Sequence, residues 1–333
     1  MTLVVHPHFH HRRSGATRHV EDMVRALNGR WHGVSIGRSL TADVPRASVS
    51  EILRRARREP VIWHAHRNSE LLVGLLLRAL APRVKVVFTR HAGEAPGWYT
   101  RALASKADQV VTLTRVSAEM IRTPAAVVGH GVDLKRFAPP VDRVAAWRSL
   151  GLVGTHGLGV VGRIRPAKGQ EDFVEAVAPL LPRHPEWHTA LVGLVTPKFR
   201  PFAQGLGARL GSRLTFPGEQ ADILPWYQGL TVLVHPSYTE GYSLVLLEAM
   251  AAGCCVVTTR LPYTEGLVEH GRNGFTYAPG DLAALRSLLE PLLADPRRAE
   301  EIGRVAAADA RERFGIEAEA RRLGEIYGEV LGR

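Results

Sequence analysis

Residues 232–258 read VLVHPSYTEGYSLVLLEAMAAGCCVVT. An apolar strand closes on His235-Pro236-Ser237, a loop carries Glu240-Gly241-Tyr242-Ser243, a helix runs from about 244 to 252, and a second strand follows at 256–258. Strand, helix and strand in that order are the unit of a parallel sheet covered by helices. Gly241 lets backbone approach a ligand closely, and the amides from Gly241 to Leu244 at the helix start suit a phosphate. Glu240 precedes the helix, and as a loop acid beside its positive end it gains only ~0.3–1 kcal/mol. Glu248, set among Leu246, Leu247 and Met250, is harder to explain, because an unpaired carboxylate is costly in apolar surroundings. A ligand with two hydroxyls, such as a ribose, would be a suitable partner.

The same alternation extends to both ends of the chain. Strands are expected at 3–6, 33–37, 61–65, 85–89, 110–113 and 126–129, and a second series at 158–161, 189–192, 214–216, 231–235 and 275–277. Val20, Met23, Val24 and Leu27 hold the spacing of one buried helix face. Pro139 and Pro140 fall between the two series. The expected organisation is α/β throughout: a Rossmann-like domain over 1–138, a second over 155–315, and a helix over 316–333 returning to the first. Open sheets of this kind bind ligands at the carboxyl ends of their strands, so a site is expected where two doubly wound domains face across a cleft.

The chain has 333 residues, 45% hydrophobic and 23% charged, enough to bury two cores. Cys254 and Cys255 are its only cysteines; neighbours in sequence do not easily meet disulfide geometry, which fits a reducing compartment. No window reaches the roughly 20 apolar residues of a spanning helix, so a cytoplasmic protein is expected. The net charge of +11 is all N-terminal: residues 1–135 hold 21 Lys/Arg against 10 Asp/Glu, and residues 136–333 hold 22 of each. A polyanionic partner, such as an anionic membrane or an acidic glycolipid, would suit that half. Nucleic acid would too, but no aromatic RNA motif or DNA-reading helix accompanies the charge, and none is expected as a partner.

A second constellation, Gly162-Arg163-Ile164-Arg165-Pro166-Ala167-Lys168-Gly169, follows a Val-rich strand. Arg163 and Lys168 there can neutralise a diphosphate. Taken with Gly131-Val132-Asp133, Phe137 and the run from Glu240 to Gly253, this pattern resembles glycosyltransferase family 4, whose members are retaining enzymes of the GT-B fold. The resemblance implies that Arg163 and Lys168 hold the donor diphosphate, Glu240 contacts the donor sugar and Glu248 the ribose. Gly241, Tyr242, Ser243 and Leu244 would offer amides to phosphate and sugar, and the loop from Gly218 to Leu224 would line the base. It implies also that the leaving diphosphate assists deprotonation of the acceptor, with no protein nucleophile.

In the N-terminal half the usual Gly-Gly pair after the first strand is reduced to Ser14-Gly15, which makes Gly15 the candidate for close approach to donor. His91 resembles the histidine that the family places beside the donor sugar. The segments 63–68, 87–89, 129–133 and 225–227 are similar to bacterial lipopolysaccharide-core mannosyltransferases acting on the Kdo region of lipid A precursors. That implies hexose transfer, from GDP-mannose before UDP-glucose, to an acidic glycolipid at the inner face of the cytoplasmic membrane, with Arg12, Arg13, Arg67 and Arg90 as acceptor contacts. No Asp-x-Asp motif occurs and the basic loop can neutralise charge, so no metal or other cofactor is expected. His6 with His8, His10 with His11 and His64 with His66 lack, by sequence, a set of further ligands. Competing readings are a GT-B nucleotide-sugar epimerase and a non-enzymatic nucleic-acid binder. Nothing in the sequence sets an oligomeric state.

Overall fold

The computed structural model describes residues 1–11 and 15–332. The chain divides into two compact units, residues 1–131 together with 314 onward, and Val132–Arg313.

The first unit holds β1 (Thr2–His8), β2 (Trp31–Gly37), β3 (Val61–Ala65), β4 (Val84–Arg90), β5 (Gln109–Thr112) and β6 (Ala125–Val127). They form one sheet in the order β2-β1-β3-β4-β5-β6, parallel at every pairing. The second unit holds β7 (His156–Val161), β8 (Trp187–Val192), β9 (Leu214–Gly218), β10 (Leu230–His235), β11 (Cys255–Thr259) and β12 (Phe275–Tyr277). Their order is β12-β11-β10-β7-β8-β9, again all parallel. The inner strands of both sheets are buried on both faces, which is why they read as apolar runs rather than alternating ones. Strand order reverses between β1 and β3 in one unit and between β7 and β10 in the other. Those are the places where the loops at the carboxyl ends diverge and leave room for a ligand.

Helices cover each face. Val20, Met23, Val24 and Leu27 are buried as their spacing predicts. The helix Ile316–Val330 lies with the first unit, its Ile316, Ala320, Leu323, Ile326 and Tyr327 packed with Val4, Met23, Ile62 and Val87. The boundary between units falls at Gly131/Val132, ahead of the 138–155 segment where the sequence places it. Its physical reason is local: the Phe137 ring lies edge-on to Tyr227 at 5.9 Å, Gln228 Nε2 donates to Ala138 O, and Arg136 pairs with Asp222 at 2.8 Å. These contacts sew residues 132–138 to the second unit. Arg143 pins the next segment by donating to the carbonyls of Tyr227, Gln228, Leu230, Ala252 and Gly253. One guanidinium thereby satisfies the ends of two elements that a neutral side chain would leave unpaired.

Candidate functional site

In the second unit the carboxyl ends of β7 and β10 carry the two loops singled out by sequence. The chain leaves β7 through Gly162 at φ +142° and closes the basic loop with Gly169 at φ +65°. A Cβ on Gly169 would come within 2.0 Å of Pro236 O, so glycine is what lets this loop lie against the β10 loop. Tyr238 N donates to Ala167 O at 3.1 Å and braces the same contact. Across it, Lys168 Nζ donates to Glu240 Oε1, which also accepts from Ser237 Oγ at 3.1 Å. Burial of the Glu240 carboxyl favours its neutral form, but His235 and Lys168 outweigh this and hold it down to about 2. Lys168 is the effective partner, because His235 Nε2 stands 3.5 Å away and burial drives that imidazole towards neutrality.

Behind this pair the helix Leu244–Ala251 starts at Ser243, whose Oγ accepts the amide of Leu246 at 3.3 Å. Glu248 is buried inside it. The expectation that its carboxylate lacks a partner in the fold is corrected: Tyr227 OH, from the helix Leu224–Gly229, donates to Glu248 Oε2 at 2.8 Å. A tyrosine 21 positions upstream left no mark in the local pattern around Glu248. Arg163 is exposed, and its guanidinium makes no ion pair among the described residues. Gly218, at φ +77°, ends β9. Two strand spacings, roughly 10 Å, separate it from β7, so the loop from Gly218 to Leu224 shares the carboxyl edge with Lys168 and Glu240 without joining their pair.

The first unit gathers a second constellation at its own carboxyl edge. His6 Nδ1 lies 2.9 Å from His66 Nε2, His66 Nδ1 3.0 Å from His91 Nε2, and His91 Nδ1 3.0 Å from His130 Nε2. His130 Nδ1 then meets Glu319 Oε1 at 3.3 Å, and the same oxygen pairs with His19 Nε2 at 3.1 Å. Glu319 Oε2 accepts the amide of Gly131 at 2.6 Å. Burial opposes charge on this carboxyl, but His19 and His130 outweigh it and keep Glu319 ionised; reciprocally, Glu319 overcomes burial and raises His19. An anionic Glu319 accepts, so His130 Nδ1 must donate. The order then propagates ring by ring: each imidazole carries its proton on Nδ1 and accepts at Nε2. The last nitrogen, His6 Nε2, is buried and finds no hydrogen-bond partner among the described residues. Burial depresses His6 to about 3 and His130 to about 4, and holds His66 and His91 well below the ordinary histidine value.

His91 therefore stands in the middle of this chain with both nitrogens engaged. Histidine pairs do acquire further ligating groups, contrary to the sequence expectation: His6, His64 and His66 bring three nitrogens within 4.8 Å, and His19, His130 and Glu319 form a second such set. In the first set His64 is held at both nitrogens, by Tyr327 OH and Thr89 Oγ1, at 2.6 Å each. Arg90 is turned inward, its guanidinium donating to the carbonyls of Ala92 and Glu94, which removes it as an acceptor contact. Arg67 is half-buried at the start of the helix Asn68–Leu80, and Gly15 opens the helix Gly15–Ala26 after β1. Arg12 and Arg13 lie outside the described residues. Sequence reasoning missed His19, His66, His130 and Glu319 as a group. Glu319 alone left a signal, an acid on the buried stripe of an amphipathic helix, between Ile316 and Ala320.

Residues 155–295 match the family model of group 1 glycosyl transferases. Over 99% of its length the chain is 35% identical to the lipopolysaccharide core biosynthesis mannosyltransferase LpcC of Rhizobium leguminosarum bv. viciae, covering 97% of that protein. It is 31% identical to the lipopolysaccharide core biosynthesis mannosyltransferase LpsB of Rhizobium meliloti, over 98% of this chain and 97% of that one. The fold matches crystalline Anabaena HepE, solved with UDP and glucose, at a TM-score of 0.83 and 20% identity, over 99% of this chain and all of HepE.

Proposed function

Since the chain belongs to the group 1 glycosyl transferases, with the GT-B fold, we propose that this glycosyltransferase moves a hexose, with retention of configuration, from a nucleotide diphosphate to a lipopolysaccharide-core acceptor. The observation that carries the reading is the Lys168–Glu240 pair where strand order reverses between β7 and β10. An ammonium and a carboxylate kept ionised there suit the two ends of a sugar diphosphate, one neutralising phosphate and the other accepting from sugar hydroxyls. Arg163, exposed on the same loop, adds a second cation for the diphosphate. Donor binding draws Lys168 onto phosphate and leaves Glu240 to the sugar. Gly241 to Leu244 supply amides, Glu248 a ribose contact beside Tyr227, and the loop from Gly218 to Leu224 the wall for the base. With this positive charge in place the reaction needs no metal.

In the first unit, Glu319 fixes the tautomer of His91 through His130, and a substrate hydroxyl replaces His66 at His91 Nε2. Gly15 leaves its backbone open to close approach by substrate, and Arg67 binds the acceptor. GDP-mannose is the favoured donor because both relatives matched over nearly their whole length carry the name mannosyltransferase. An acidic glycolipid acceptor on an anionic membrane, at the inner face of the cytoplasmic membrane, suits the 21 Lys/Arg against 10 Asp/Glu of residues 1–135; among the described residues no helix is long and apolar enough to cross a membrane.

A panel of GDP-mannose, UDP-glucose, UDP-galactose and UDP-N-acetylglucosamine in thermal melts tests the donor reading. GDP-mannose at about 100 times its Kd raises stability by about 2.7 kcal/mol, and UDP-glucose gives a smaller shift. A panel with no shift for any donor contradicts the assignment.

A further inference from the structure

The helix Asn68–Leu80 is apolar around most of its circumference, which is the signature of a helix buried on all sides. Its inner face is fixed: Leu71 and Leu77 are in the core, and a Cβ on Gly74 would come within 2.3 Å of the Trp63 ring. That register leaves Leu72, Leu76 and Leu80, four residues apart, on the outside at 39%, 57% and 75% exposure. No charged residue separates them on that face, since Arg78 lies on another side of the helix and pairs with Asp108.

Both ends of the stripe continue into suitable neighbours. At the start, Asn68 Nδ2 donates to Thr100 Oγ1 and joins the helix to Trp98–Ala104, where Trp98 is 79% and Tyr99 43% exposed. At the far end, three residues beyond Leu80, Arg83 donates to Arg57 O and so joins the exposed run of Arg54, Arg57 and Arg58 to the end of this helix. Leucines flanked by an exposed tryptophan and by arginines that form no ion pair among the described residues combine apolar insertion, an interfacial aromatic and attraction to anionic headgroups.

We propose that this face, Leu72, Leu76 and Leu80 with Trp98 and the arginines Arg54, Arg57, Arg58 and Arg83, docks on the surface of an anionic lipid bilayer. The inference rests on the reading that the acceptor is a glycolipid, and adds where the protein meets the lipid. Because the helix that carries the stripe starts directly after His66 and Arg67, at the carboxyl edge of β3, docking along it brings that edge of the first unit to the bilayer surface.

Flotation of the full chain with phosphatidylglycerol or phosphatidylcholine vesicles, without donor or acceptor, tests docking alone. The wild type floats with phosphatidylglycerol and partitions at least roughly tenfold less onto phosphatidylcholine. L76S/L80S reduces flotation on phosphatidylglycerol roughly tenfold or more, while its thermal shift with GDP-mannose stays that of the wild type. Tryptophan emission of the wild type moves to the blue on phosphatidylglycerol, and Trp98→Phe removes most of that change, a readout that does not depend on the leucine variant folding. Undiminished flotation of L76S/L80S overturns the proposal. So does a wild type that ignores vesicles, including one that dimerises through this face on gel filtration. An absent GDP-mannose shift with intact flotation contradicts the donor reading and leaves the docking surface standing.

Discussion

Lowering the pH from 7.5 to 5 is expected to unfold the first unit steeply, beginning near pH 6.5. In the unfolded chain each histidine takes up a proton near 6.5, whereas burial holds His6 to about 3 and His130 to about 4 in the fold. Between roughly 4 and 6.5 the unfolded chain therefore binds more protons than the native one, and stability falls as pH falls. Each group contributes about 1.4 kcal/mol per pH unit, so these two give about 2.8 kcal/mol per unit. His64, His66 and His91, depressed in the same direction, steepen the loss. Against a typical stability of about 5–15 kcal/mol, that is decisive within one or two units. His19 has the opposite sense: its pKa is raised by Glu319, so its contribution is complete below 6.5 and is lost as pH rises through the folded value. Glu319, depressed, contributes above about 4.5 and loses its contribution as pH falls through its own folded value. Melts monitored from pH 7.5 to 5 should show Tm dropping sharply below 6.5; a level Tm over that range contradicts the neutral histidine chain.

Lys168→Ala and Glu240→Ala are each expected to lower kcat/KM for hexose transfer by about 10²–10³-fold and to leave the fold intact. Lys168 ends a single helical turn and Glu240 lies on a loop, and the two pair with each other, so removing either costs little packing. Lys168→Ala takes away a cation from the diphosphate as charge builds on the leaving group. It also removes one of the two groups that hold the Glu240 carboxyl down, so part of its effect is transmitted through the carboxylate. Glu240→Gln separates the two contributions, since the amide retains shape and loses charge. Steady-state rates of the three variants, with circular dichroism to show that they fold, decide the matter; full activity in Lys168→Ala and Glu240→Ala removes the pair from the site.

Much of this arrangement is legible in the chain itself because it depends on local pattern. β3 and β12 occupy the residues expected of them, 61–65 and 275–277, since short β-branched and aromatic runs between turns leave few alternatives. The basic loop and the Glu240 loop are legible for the same reason, and parallel topology brings them together at β7 and β10. What escapes is long-range pairing. The partner of Glu248 is Tyr227, and Glu319 joins His130 across 189 positions, contacts that no period or spacing encodes. Arg90 differs in the opposite way: its charge suggests an exposed ligand contact, but the side chain is buried against its own loop carbonyls.

Transfer itself is the most direct test of the central claim. The protein is incubated with GDP-mannose and a Kdo-lipid A acceptor, and the product is followed by mass and by the NMR signal of its new anomeric carbon. An acceptor heavier by one hexose, α-linked as in the donor, and absent with Lys168→Ala, is the predicted result. A β-linked product, an epimerised nucleotide sugar formed without acceptor, or an unchanged acceptor with every donor of the panel would contradict it.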